Sequence, residues 1–160
     1  MEKIAFDIPR FMGISKQALE EKLGKPDRVV RISYIEEDWE IVPTPFGYYG
    51  EVVDEAEYDH LIKSDDFEFS RSSVLFDIGT NSGIVKGVGL ILESEEFIYD
   101  PQKIMRIFGM SDAGEPDERL TQISNWWNYR GWTVNLFTVD GNFVTLKVYP
   151  SQLLNSAHSE

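Results

Sequence analysis

The stretch Thr133-Val134-Asn135-Leu136-Phe137-Thr138-Val139-Asp140-Gly141-Asn142-Phe143-Val144-Thr145-Leu146-Lys147-Val148-Tyr149 decides the reading of this chain. Two β-rich runs flank Asp-Gly, a dipeptide whose two residues suit the positive φ angles of a tight hairpin turn. A hairpin is therefore expected over these residues. A second one stands upstream, where Ser73-Val74-Leu75-Phe76-Asp77-Ile78 and the run from Ile84 to Leu92 flank Gly79-Thr80-Asn81-Ser82-Gly83.

Each hairpin lies downstream of a helix start with the same grammar. In Ile14-Ser15-Lys16-Gln17-Ala18-Leu19, Ser15 is the N-cap and Ile14 is placed to staple onto Leu19; the helix should stop at Gly24, before Pro26. In Tyr99-Asp100-Pro101-Gln102-Lys103-Ile104, Asp100 is the cap, Pro101 occupies the first helical position and Gly109 is the terminator. Gly24-Lys25-Pro26-Asp27 is echoed by Gly114-Glu115-Pro116-Asp117. The recurrence predicts an α+β fold of two helix-then-antiparallel-sheet repeats packed in tandem. Residues 1–95 would form the first repeat, with an acidic insertion, and residues 96–160 the second with a short C-terminal tail.

The chain has 160 residues, 42% hydrophobic and 13% aromatic, enough for a packed core. Without cysteine it has no disulfide, thiolate ligand or thiol nucleophile. The start, Met1 to Asp7, has no basic segment followed by an apolar run, so no signal peptide is expected and the predicted location is cytoplasmic. No apolar run approaches the roughly 20 residues that span a bilayer.

Net charge is −13, and twelve carboxylates lie between Glu36 and Glu68 against the single cation Lys63. Such a surface disfavours direct nucleic-acid binding, which requires cations to neutralise phosphate. It fits either a solubilising face or steering towards a basic protein partner. The expected acidic rim is Glu36, Glu37, Asp38, Asp54, Glu55, Asp65 and Asp66 on one insertion.

Catalytic signals are weak. The only histidines are His60 and His158, and neither has metal-ligand spacing with its neighbours. Paired acids such as Glu95/Glu96 show no sign of the burial that tunes a catalytic carboxyl. No P-loop, dinucleotide fingerprint or Ser-His-Asp grouping is present, and no cofactor or metal is expected.

Aromatic residues carry the strongest site signal. Adjacent Trp126 and Trp127 on a strand would face opposite sides of a sheet, one in the core and one on a recognition face. Tyr129, Arg130 and Trp132 share the segment, and Trp39, Tyr48 and Tyr49 accompany the acidic stretch; tryptophan, tyrosine and arginine dominate interface hot spots. The expectation is a non-enzymatic protein-binding module with an aromatic sheet face and acidic rim. The rival is a small-molecule-binding or hydrolytic domain with a carboxylate-lined pocket between the repeats.

The capped helices, the Gly-x-Pro-Asp corner, Trp126-Trp127-Asn128-Tyr129 and the Asp140-Gly141 hairpin resemble the SmpA/BamE and β-lactamase-inhibitor-protein-like fold, over Phe6 to Pro150. That resemblance implies two repeats forming a concave sheet that grips a partner, as in an intracellular inhibitor or immunity-type protein.

Overall fold

The computed structural model describes residues 4–44, 46–63, 68–94, 101–110, 124–139 and 143–151. Helix α1 spans Lys16–Leu23, and its start follows from the sequence. Ser15 is extended, and its Oγ accepts a 3.0 Å bond from the Ala18 N–H, satisfying one of the donors a helix N-terminus leaves unpaired. Gly24 closes the helix at φ 80°, donating to Glu20 O at 2.8 Å. Ser15→Ala is expected to cost about 1 kcal/mol in urea denaturation through this lost cap, with no change in fold. Helix α2 spans Pro101–Ile107; its expected cap, Asp100, lies outside the described residues, as does the Gly114 to Asp117 corner.

The strands are β1 (Arg28–Ile32), β2 (Tyr34–Glu37), β3 (Glu40–Pro43), β4 (Val53–Asp59), β5 (Arg71–Gly79), β6 (Val85–Glu93), β7 (Ser124–Tyr129), β8 (Trp132–Val139) and β9 (Phe143–Pro150). Both expected hairpins pair antiparallel, β5 with β6 and β8 with β9; the turn residues Asp140 and Gly141 lie outside the described residues. They do not form two sheets. β6 pairs with β9, from Val88↔Val148 to Glu93↔Phe143, so that seven strands make one antiparallel sheet in the order β1-β4-β5-β6-β9-β8-β7. β2 and β3 form a separate ribbon.

The expected α+β tandem of helix-then-sheet units is thereby overturned: the described protein is mostly antiparallel β, with only two α-helices, of eight and seven residues. Leu19 is the one buried residue of α1, and α2 adds Ile104, Met105 and Ile107. The apolar alternation of the strands contributes most of the core.

One sheet face carries that core. Ala56 and Tyr58 of β4, Phe76 and Ile78 of β5, Val88 and Leu90 of β6, Leu146 of β9 and Leu136 of β8 pack in one cluster with Phe6, Ile8, Phe11, Leu19, Ile104 and Phe108. The opposite face carries a smaller cluster of Tyr49, Val53 and Tyr149. No described helix is long and apolar enough to cross a membrane.

Candidate functional site

The β2–β3 ribbon turns through Asp38 and Trp39, at φ 49° and 67°. A two-residue hairpin turn with both central angles positive favours Asn-Gly or Asp-Gly, because a Cβ is strained in the left-handed region. Tryptophan occupies the position glycine would fill. Its side chain is completely exposed, so burial does not offset that strain. Beside it Glu37 stands directly opposite Glu40, a like-charge pair that disfavours the ribbon, and Ile41 and Phe46 are about two-thirds exposed. Each of these choices works against the ribbon as an isolated element.

Two tyrosines connect the ribbon to the sheet. The Glu36 N–H donates to Tyr48 Oη at 2.6 Å, while Tyr49 Oη donates to Asp77 Oδ2 at 2.5 Å. Tyr49 fits only because residue 87, across the sheet from Asp77, is glycine: a Cβ there would lie 2.4 Å from the tyrosine oxygen. Glu51 anchors the far end of the segment, accepting from the Asn81 and Ser82 N–H groups at 2.9 and 3.0 Å.

Beneath the tyrosines lies a polar cluster on the open sheet face. Glu55 of β4 stands directly opposite Asp77 of β5, which places two carboxyls side by side across adjacent strands. Lys147 Nζ of β9 lies 3.8 Å from Asp77 Oδ2 and 5.9 Å from the centre of the Tyr48 ring. Asp77 is buried and Glu55 partly so. Burial first and Asp77 second push the Glu55 carboxyl above the usual glutamate range, against the pull of Lys147. Burial and the same aspartate push the Tyr49 phenol far above its ordinary value, and burial pushes Tyr149 up to about 12. Tyr49 therefore stays neutral at physiological pH and serves as the hydroxyl donor to Asp77.

The expected site residues divide among three places. Trp39, Tyr48, Glu36, Glu37 and Asp38 come together as one exposed surface, with Tyr49 buried behind it. Asp54 and Glu55 belong to β4, inside the sheet, and not to one insertion with the ribbon; Asp54 is held by Arg31 at 3.0 Å. Asp65 and Asp66 lie outside the described residues. Trp126 and Trp127 stand in β7 opposite Asn135 and Val134, but their side chains lie outside what the structure describes. Tyr129 is buried, with Trp132 tilted against it at 6.0 Å and Arg130 over its ring at 4.9 Å. These two rings pack with the core rather than presenting an open aromatic face. Asp77 and Lys147 were not singled out by the sequence reading, although an acid within Val74-Leu75-Phe76-Asp77-Ile78 was an available signal.

A groove of about 410 Å3 lies between α1 and the β1 edge, with Leu19, Val29, Ala56 and Ile78 as its apolar lining. Its carboxylates are already committed, Glu20 to Lys25 at 3.1 Å and Asp54 to Arg31. The Glu55–Asp77 pair does not line it. Comparison of the chain with protein-family models, with curated proteins and with solved structures finds no match.

Proposed function

We propose that this chain is a non-enzymatic protein-binding module that recognises a basic protein through the β2–β3 ribbon. The observation that carries the reading is Trp39, fully exposed, held at a left-handed backbone angle and set among Glu36, Glu37, Asp38 and Glu40. Strain and exposure of this kind concentrate where a surface is built for contact. Tryptophan supplies large rigid contact area, and cations of a partner would relieve the Glu37/Glu40 repulsion that the free ribbon bears.

Recognition then lies on a projecting element rather than on the concave sheet implied by the inhibitor-like resemblance. An inhibitor or immunity-type role remains the fitting class. The hydrolytic or small-molecule rival needs its perturbed carboxyls to line a cavity. Here the raised carboxyl, Glu55, stands outside the groove, whose own acids are neutralised by their cations.

Parallel affinity capture from a host extract tests the proposal, using the native chain and a Glu36→Gln/Glu37→Gln/Asp38→Asn variant. A basic protein should be retained by the native chain, released as ionic strength rises towards and beyond about 0.15 M, and lost with the variant. Equal, salt-insensitive retention by both would reject the ribbon as the binding element.

A further inference from the structure

We propose that the Glu55–Asp77 pair is a proton-operated latch on the Tyr48–Tyr49 segment, and through it on the ribbon that carries Trp39. This deepens the binding role above by assigning its regulation.

The connection is continuous. Asp77 holds Tyr49 by its hydroxyl, the adjacent Tyr48 holds the backbone of Glu36, and Glu36 lies in the strand leading to the Trp39 turn. Among the described residues, charged groups from three strands act on Glu55: Asp77, Lys147 and Glu57. Lys147 from β9 is the cation within reach of Asp77. Glu57, two residues along β4, adds negative potential, and its own cation, Arg28 of β1, is shared with Asp59. The hydroxyls of Tyr49 and Tyr149 stay protonated.

With a proton on Glu55, that carboxyl donates to Asp77, Asp77 is matched by Lys147, and Tyr49 completes its shell. Loss of the proton leaves two carboxylates face to face across adjacent strands with Lys147, 3.8 Å from Asp77, as their nearby cation. Ionised Glu55 then draws water into the cluster, and the Tyr49 hydroxyl on Asp77 is the contact that yields. Because the Glu55 carboxyl is raised, its stabilising contribution is complete below the ordinary glutamate range near about pH 4.3. It is lost as pH rises through the raised value. The latch is closed at acid pH and opens on the alkaline side.

Amide hydrogen exchange of the chain alone, corrected for intrinsic rates, reads the latch as pH is raised from about 4.5, near the ordinary glutamate value, to about 8. Protection of the Glu36 amide and of residues 46–52 should fall as pH rises, by up to about tenfold per pH unit. Glu55→Gln, a neutral isostere, should keep these amides protected across the range. Gly87→Ala, whose methyl displaces the Tyr49 hydroxyl, should leave them open throughout. A flat native profile, or an unchanged pH dependence in Glu55→Gln, would overturn the latch. No partner is present in this measurement, so failure of the latch and failure of ribbon-mediated binding are separately visible.

Discussion

Replacing Phe76 with alanine is expected to destabilise the fold by about 3–5 kcal/mol, the range for truncating a fully buried phenylalanine. The ring has no exposed surface and sits in β5, a central strand of the sheet. It contacts three other aromatics, with centroids 6.2 Å from Phe6, 5.6 Å from Phe11 and 5.5 Å from Tyr58, the last edge-on. These partners come from the N-terminal segment and β4, so the cavity would open where elements meet and where no single side chain can swing in to fill it. Because domains are stable by only about 5–15 kcal/mol, the variant should be close to its unfolding threshold. Urea denaturation should show a lower midpoint with an unchanged slope. Leu75, adjacent but on the other face and partly exposed, is the control and should cost clearly less. A loss under about 1 kcal/mol for Phe76→Ala would mean that the core is not organised around this ring.

The parts of this fold legible in the sequence are those fixed by neighbouring residues. Ser15 caps because its side chain reaches the amide three positions on, and the hairpins form because each turn joins strands adjacent in the chain. The pairing of β6 with β9 is of another kind. Leu90 meets Leu146 across a long separation, and no local signal distinguishes that register from two separate sheets. The repeated helix grammar suggested a repeated architecture, while the decisive contact was the edge that joins the hairpins.

The site divides in the same way. Trp39, Tyr48, Tyr49 and the acids Glu36 to Asp38 stood out by type and proximity. Asp77 and Lys147 enter the cluster only through strand register, which brings β4, β5, β6 and β9 side by side. The Asp38-Trp39 turn was missed for the opposite reason: its sequence lacks the glycine that usually announces that geometry.

Trp39→Ala is expected to leave stability within about 0.5 kcal/mol of the native value and to weaken partner binding by about 2 kcal/mol or more, roughly thirtyfold. The two halves rest on separate observations. Stability should hardly change because the indole is completely exposed and its removal opens no cavity. Binding should change because an exposed tryptophan, the largest apolar surface on the ribbon, becomes a hot spot when a partner desolvates it. Trp39→Gly separates strain from contact. Glycine adopts φ near 67° without penalty, so this variant should be at least as stable as the native chain while binding as poorly as alanine. Thermal unfolding of both variants, with titration against the captured basic partner, measures each effect. If Trp39→Gly gained stability and kept full affinity, the residue would be a strained turn without a binding role. If Trp39→Ala lost several kcal/mol of stability, the ring would be packed in solution and could not be the contact that the ribbon offers.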